Sequence, residues 1–462
     1  MELTPIFDNK RPLYLQLYLF TKKSIEEGRI APYEKLPSIR QLTKHLNISK
    51  TTVENAYQQL LAEGYVESRP RIGLVVLPLD DLIQKNAPGE VENDQQLEER
   101  KYKIDFQYGD IDLNHFPFRQ WKKFMRDVWN EQSTEIYNYG EKQGDILLRK
   151  EISHYLFQSR GIACHPNQIV VCAGTQSAID IVCHLLKIAD KKVAMENPGY
   201  DGVRTVFQQH GCKIKPLTIE KDGLSIEDLL RSDAEVAYAT PSHQFPYGMV
   251  LSIQKRLKLL QWAIDQQSYI IEDDYDSEFR YEGHPISSLK SLDSEDRVIY
   301  LGTFSKSFLP SLRISYIVLP NSLIKNYKEI YQLHNQAVSP IFQRALQQFI
   351  HHGDFNRHLR KMRKIYYQKH KTLIEAIDKH FGDKIKVIGE KAGLHVLLDV
   401  KGRNEDELIA KAESIHIKIY STSSYWIGNE KKRPSLILLG FGGLSNEAIE
   451  EGIRQLNIVW DI

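Results

Sequence analysis

The sequence predicts an α/β protein in two parts: a small N-terminal helical module closed by a hairpin, then a mostly parallel sheet covered by helices. Three observations carry that expectation. The chain has 462 residues, more than one ordinary core accommodates. Residues 11–76 are a dense run of short helical patterns ending in alternating Val and Leu. From Ile104 onward, short apolar runs of strand composition alternate with helical ones, as in strands joined by crossover helices. Between the two parts, residues 77–103 (LPLDDLIQKNAPGEVENDQQLEERKYK) are polar and charge-rich, with no periodic apolar face. That is linker composition. The expected division is 1–76, a linker over 77–103, and 104–462.

With 42% hydrophobic and 26% charged residues, the chain has globular composition, neither disordered nor fibrous. A formal net charge of +1 offers no general attraction to nucleic acid, yet leaves room for a locally basic face. Cys164, Cys172, Cys183 and Cys212 form no CxxC pair and have no metal-like spacing, so reduced thiols and no metal are expected. The N-terminus MELTPIFDNK lacks the basic-then-apolar pattern of a secretory signal. Runs such as Leu436–Leu439 stop far short of the roughly 20 apolar residues that a membrane span needs. A cytoplasmic location is expected.

In the N-terminal part, Leu13 to Phe20 opens an apolar-rich helix, with Gly28 positioned to end it. Pro37 and Ser38 begin a second helix, with Ile39, Leu42 and Leu46 on one stripe. Ser49 is positioned as the N-cap of a third. There Val53, Ala56, Tyr57, Leu60 and Leu61 follow i, i+3, i+4, i+7, i+8, a buried face. Lys50, Thr51, Thr52 and Asn55 remain outward near its start, where a groove-reading helix carries its contacts. After Gly64, Tyr65–Ser68 and Leu74–Val76 read as strands around Arg69-Pro70-Arg71-Ile72-Gly73, a wing with two arginines at its tip. Two helices, a reading helix and a basic wing follow the order of a winged helix-turn-helix. The same elements also suit a structural cap or a protein-interaction module.

The run LPSIRQLTKHLNISKTTVENAYQQLLAEGYVESRPRIGLVV resembles the GntR-type winged helix. The resemblance implies promoter DNA as partner, with Arg40 and Arg71 near phosphates and Arg69 of the wing among the DNA-binding residues. Lys50, Thr51, Thr52 and Asn55 would face base edges. Ile39 stands where an acidic residue is common, and Lys50 where arginine is common. Lysine keeps the charge but loses the two-pronged fork for guanine or phosphate.

In the large part, chemistry is written at the ends of apolar strands. Ile169–Cys172 leads into Ala173-Gly174-Thr175-Gln176 and then a helix, a turn whose free N–H groups suit a phosphate. Val193–Met195 leads into Glu196-Asn197-Pro198-Gly199-Tyr200, which puts an aromatic past a strand. Tyr269–Ile271 leads into Glu272-Asp273-Asp274-Tyr275-Asp276, on its own a metal site or a solvated loop. Val298–Leu301 leads into Gly302-Thr303-Phe304-Ser305-Lys306-Ser307, followed by Pro310 and Arg313. In open α/β sheets ligands bind outside the carboxyl ends of strands. A phosphate turn, an aromatic, a carboxylate pair and a lysine meeting there would suit an aromatic aldehyde phosphate.

The motifs GTFSKSFLPSLRISYIVLP, EDDYDSEFRY, TPSHQFPYG, ENPGY and YNYGEKQGDILLRKEI resemble the fold-type-I aminotransferase domain of MocR/GabR-type regulators. The resemblance implies pyridoxal 5′-phosphate as cofactor and a homodimer. It makes Lys306 the Schiff-base lysine, Asp273 the partner of the pyridine nitrogen and Tyr275 a hydrogen-bonding partner of the ring hydroxyl. Tyr200 would stack on the ring, and Gly174, Thr175, Gln176, Thr303, Ser305 and Arg313 would form the phosphate cup. Tyr139 matches a tyrosine that reaches the neighbouring subunit's site; an ordinary buried tyrosine is the rival reading. His243 and Gln244 are expected to line the ring region.

One departure bears on function. Where this fold usually carries an arginine for the amino-acid α-carboxylate, the sequence has Ile437-Leu438-Leu439-Gly440-Phe441, with Leu438 at the arginine's position. Leucine cannot make the bidentate carboxylate pair; Arg433 is the nearest cation in sequence. The expected function is a transcription regulator that binds promoter DNA and senses pyridoxal phosphate or a small amine or amino-acid-derived effector. The alternative is an active aminotransferase with an accessory DNA-binding domain.

Overall fold

Short polar caps decide where the first helices start and stop. In the computed structural model, which describes residues 3–8, 11–79, 102–131, 134–281, 286–428 and 433–462, α1 (Leu13–Glu26), α2 (Ile39–Leu46) and α3 (Lys50–Ala62) come first. Leu17, Leu42, Val53, Ala56, Tyr57 and Leu60 are buried in their common core. A capping box opens α2: the Ser38 hydroxyl accepts from the Gln41 amide while Gln41 reaches back to the Ser38 amide. Asn47 ends it in the left-handed region at φ 52°, a conformation asparagine tolerates better than most side chains, and the chain turns into α3. Ser49 caps α3 as the sequence predicts, accepting from the Thr52 amide at 3.1 Å. The expected apolar face is buried except for Leu61, which is 40% exposed. Eight residues along a helix lie about 80° from the first, at the margin of the stripe centred on Val53.

The wing pairs β1 (Val66–Arg69) with β2 (Gly73–Val76) antiparallel, Arg69 opposite Gly73. These strands start one residue from their expected positions, because the tight turn holds Arg71 at φ 64° and Gly73 at φ 109°. The chain divides into two compact units, residues 1–99 and 100–462. Most of the predicted linker, residues 80–101, lies outside the described residues.

The second unit opens with β3 (Ile104–Asp105), α4 (Phe118–Trp129) and α5 (Ile146–Arg160). Then follow β4 (Ile169–Cys172), α6 (Thr175–Leu186), β5 (Lys192–Asn197), α7 (Asp201–Gln209), β6 (Lys213–Glu220) and β7 (Gly223–Leu224). The sheet continues through α8 (Ile226–Arg231), β8 (Val236–Ala239), α9 (Ile253–Asp265), β9 (Tyr269–Asp274), β10 (Val298–Thr303) and β11 (Ser315–Val318). Its strand order is β4-β11-β10-β9-β8-β5-β6-β7. The run β10-β9-β8-β5-β6 is parallel throughout, whereas β11 is antiparallel to both β4 and β10. So β4 points the same way as β5, β9 and β10. Every residue of β4, β8, β10 and β11 is buried, as continuous apolar strands require when helices cover both faces.

Three helices, α10 (Asn321–Ile330), α11 (Pro340–His351) and the 28-residue α12 (Asp354–Phe381), lead to a smaller sheet. It holds β12 (Ile385–Ile388), β13 (His395–Val400), β15 (Tyr420–Ser421) and β16 (Leu436–Gly440), in the order β12-β13-β16-β15. With α13 (Glu405–Ser414), β14 (Ile417–Lys418) and α14 (Asn446–Trp460), it builds a second core around Tyr366, Val396, Leu439 and Trp460. No helix among the described residues is long and apolar enough to cross a membrane.

Candidate functional site

Because β4, β5, β9 and β10 run in one direction, the turns after them meet at one edge of the large sheet. A cavity of about 220 Å³ opens there. Thr175, Gln176, Tyr200, Asp273, Tyr275, Thr303, Ser305, Lys306 and Arg313, nine of the expected cofactor residues, line it together.

The Lys306 amine stands 4.1 Å from the centre of the Tyr108 ring. Loss of solvent lowers it to about 8, against the opposing pull of Asp276 and Asp110. Backbone crowds the same nitrogen: a Cβ at Gly109 would come within 2.5 Å of it. Asp273, at the end of β9, uses one oxygen to accept from the Tyr238 hydroxyl at 2.5 Å. Its other oxygen, Oδ1, is buried without a partner. Burial, opposed by that one hydrogen bond, pushes the carboxyl up to about 7.

Beside the lining residues Thr175 and Gln176, α6 begins at Gly174 with φ 94° and no side chain capping its first amides. Those N–H groups and the positive end of the helix are open to an anion. The Arg313 guanidinium lies over Gly174 so closely that a Cβ there would overlap it. Thr303 Oγ1 accepts from Ser315 Oγ at 2.9 Å and from the Ser305 amide at 3.1 Å, which fixes the loop carrying Ser305 and Lys306.

These residues fit a phosphorylated pyridine aldehyde. The partnerless Asp273 oxygen matches a pyridinium N–H, the uncapped turn with Arg313 matches a phosphate, and the amine of lowered basicity matches an aldehyde.

His243 and Gln244 depart from expectation, since neither lines the cavity. Both are buried one layer behind it: His243 Nδ1 lies 3.0 Å from the Tyr275 hydroxyl, and Gln244 donates to the Pro198 carbonyl at 2.9 Å. In the sequence they lie two and one residues before Phe245, which does line it. Tyr139 is 77% exposed, which removes the buried-tyrosine reading and leaves its hydroxyl outside this chain's own cavity. Sequence reasoning missed Tyr108, Tyr238, Thr240 and Phe245. Tyr238 had a usable signal, because a tyrosine in a continuously apolar strand needs a buried partner. Tyr108 had none: it is brought in from β3's trailing loop.

In the first unit, Arg40, Lys50, Thr51 and Asn55 are exposed, on α2 and the first turns of α3. Lys50 pairs with Glu54 at 3.1 Å. The Thr52 hydroxyl is 2.7 Å from Ser49 Oγ, so it is engaged in the cap. On the wing Arg69 is held by Glu67 at 2.6 Å, while Arg71 projects from the tip, exposed.

Residues 13–76 match the model for bacterial regulatory proteins of the gntR family, and residues 101–452 that for aminotransferase class I and II. The uncharacterised HTH-type transcriptional regulator YdeL of Bacillus subtilis strain 168 is 42% identical over the whole of both chains. The probable rhizopine catabolism regulatory protein MocR of Rhizobium meliloti is 33% identical, over 96% of this chain and 93% of its own. The chain belongs to the MocR-type transcriptional regulators. A kynurenine aminotransferase of Pyrococcus horikoshii, solved with PMP, aligns at TM-score 0.70 and 22% identity over 78% of this chain and 91% of that one. At that identity the likeness shows the shared fold.

The regulator's departure at Leu438 is structural as well as chemical. Leu438 is fully buried on β16 between Leu397 and Tyr420, in an apolar cluster with Phe245 that Tyr108, Tyr200 and Tyr275 pack against. Arg433 does not replace the missing cation: it pairs with Glu405 at 3.2 Å and does not line the cavity. Among the described residues only Lys306 and Arg313 bring positive charge to the cavity wall. Elsewhere, Asp180 and His184 of α6 and His210 after α7 bring a ligand atom each within 4.8 Å of one another, a grouping that cysteine spacing could not reveal.

Proposed function

We propose that this regulator holds pyridoxal phosphate in the cavity and that occupancy of the cavity changes how its winged helices engage promoter DNA. The observation that carries the reading is the partnerless buried oxygen of Asp273, a residue that lines the same 220 Å³ cavity as Lys306 and the first residues of uncapped α6. When bound, the cofactor supplies an aldehyde that condenses with an amine and a conjugated ring that absorbs visible light. Asp273 accepts from the ring nitrogen, Tyr200 covers the ring, and Lys306 is the attacking amine. Arg313, Thr175, Gln176, Thr303 and Ser305 hold the phosphate with the first amides of α6.

With Arg313 committed to phosphate and Lys306 to the aldehyde, no cation on the described wall remains for an α-carboxylate. The proposed effector is therefore the cofactor itself, or a small amine recognised through its amino group and apolar body. Either acts as a switch only through unequal affinity for two arrangements of the protein. On the DNA side, Arg40 and Arg71 contact phosphates, Arg69 assists them, and Lys50, Thr51, Thr52 and Asn55 face base edges. Exposed Tyr139 reaches the cavity of a second copy in a homodimer, whose two reading helices demand two half-sites.

The test is a gel-shift titration of a fragment from upstream of the regulator's own gene, with and without saturating pyridoxal phosphate. Loading is expected to change affinity about tenfold or more. Equal affinity in both states contradicts the sensing role, and sustained turnover of an amino donor with a keto acid assigns the cavity to catalysis instead.

A further inference from the structure

Behind the cavity wall lies a chain of three side chains that cofactor binding alone does not require. His243 Nδ1 is 2.8 Å and 2.9 Å from the two carboxylate oxygens of Asp276. The same nitrogen is 3.0 Å from the Tyr275 hydroxyl, and Tyr275 lines the cavity. His243 and Asp276 are 3% and 2% exposed, so water does not compete for these bonds.

The backbone is shaped to admit this arrangement. Gly248 and Gly393 both sit at positive φ, 74° and 81°. A Cβ at Gly393 would overlap the His243 ring and approach Asp276 Oδ2 to 2.7 Å, and one at Gly248 would stand 3.0 Å from His243 Nε2. Two loops thus give up side chains where the imidazole lies.

Proton inventory then fixes directions. A carboxylate can only accept, so the hydrogen of the His243–Asp276 pair sits on Nδ1. An Nδ1–H also 3.0 Å from the Tyr275 oxygen donates to it as a shared bond. Tyr275, already accepting, keeps its own hydrogen free to point away from His243, into the cavity.

We propose that His243 and Asp276 are positioning residues that hold the Tyr275 hydroxyl as a hydrogen-bond donor toward the ring oxygen of bound pyridoxal phosphate. The inference rests on the cofactor reading above and adds two residues that do not touch the ligand. A donor aimed at the ring oxygen satisfies its negative charge, so the proton shared by that oxygen and the Lys306 nitrogen leaves at lower pH. The other groups facing Tyr275 are Tyr108, Asp273 and Glu196. Facing His243 is His395, held neutral by burial, which lowers it to about 3.

The experiment is a pH titration of the visible absorbance of the full-length, cofactor-loaded protein. Tyr275→Phe is expected to raise the midpoint by about one pH unit, a tenfold change in proton affinity. His243→Ala is expected to raise it in the same direction by less; in Asp276→Asn that rise is opposed by loss of a carboxylate charge that favours the protonated Lys306 nitrogen. His243→Asn, whose amide can replace the Nδ1 donor, is expected to restore most of the wild-type value. A structural role alone would lower the melting temperature and leave the midpoint still. A coloured His243→Ala protein that titrates like wild type overturns the proposal, as does an unmoved Tyr275→Phe. A wild type that never colours defeats the cofactor reading itself, a different result. If His243→Ala does not fold, His243→Phe, which keeps a ring in place without the Nδ1 donor, carries the comparison.

Discussion

Asp273 illustrates how much one side chain can report. An oxygen sealed from water with nothing to bond costs free energy that folding alone does not recover, and a cationic ring nitrogen would relieve it. Removing a charge-assisted hydrogen bond of this kind costs about 1.5–3 kcal/mol. Asp273→Ala is therefore expected to weaken pyridoxal-phosphate affinity roughly ten- to a hundredfold, read by absorbance titration. An unchanged affinity would remove Asp273 from the site. Lys306 sets a pH dependence. Its amine is lowered to about 8, and only the neutral form attacks an aldehyde, so the protonated form below that pH is unreactive. The rate of colour formation on mixing apoprotein with cofactor should climb about tenfold per pH unit up to 8 and level off above it. A rate that climbs on past pH 10 indicates an unperturbed, solvated lysine. Leu438 makes a prediction about selectivity. An α-amino acid and the amine left by removing its carboxylate should displace the visible spectrum with similar midpoints, since no described cation remains to reward the carboxylate. A hundredfold preference for the amino acid reveals a clamp supplied from elsewhere.

At the scale of elements, α3 and the wing divide the DNA contacts in a way that salt separates. Arg40 and Arg71 to Ala should each weaken binding to specific and random fragments alike and lower the slope of log affinity against log salt by about one. Thr51→Ala and Asn55→Ala should cost about 1–3 kcal/mol on the cognate fragment only. If all four behave alike, the helix does not read bases. Ser49 belongs to another category: its hydroxyl caps α3, so Ser49→Ala is expected to cost about 1 kcal/mol of stability in the first unit, seen as a lower unfolding midpoint. The helix α6 shows the opposite solution, an N-terminus left uncapped at Gly174. A stabilising cap there would occupy the amides that a phosphate needs.

At the scale of the whole molecule, the alternation of apolar runs made the parallel sheet legible, because strands covered on both faces must be apolar along their length. Eight of the nine lining residues were legible for a related reason: Asp273 and Thr303 sit at the ends of such strands and six others follow one within four positions, whereas Arg313 lies ten residues past β10. Tyr108 was not, since it arrives from a loop far away in sequence, and His243 was displaced by one layer because the chain after β8 turns Phe245, not His243, to the cavity. The wing strands missed by about one residue at the turn, and Leu61 missed because it lies at the margin of the buried stripe, where periodicity does not decide exposure.

The most direct measurement is the visible spectrum of full-length protein after incubation with pyridoxal phosphate and removal of the excess. Wild type is expected to retain a yellow absorbance band, one cofactor per chain, discharged by borohydride into a stable adduct at Lys306. Lys306→Ala, still folded by circular dichroism, is expected to lose it. A colourless wild type, or an adduct mapped to another lysine, contradicts the account.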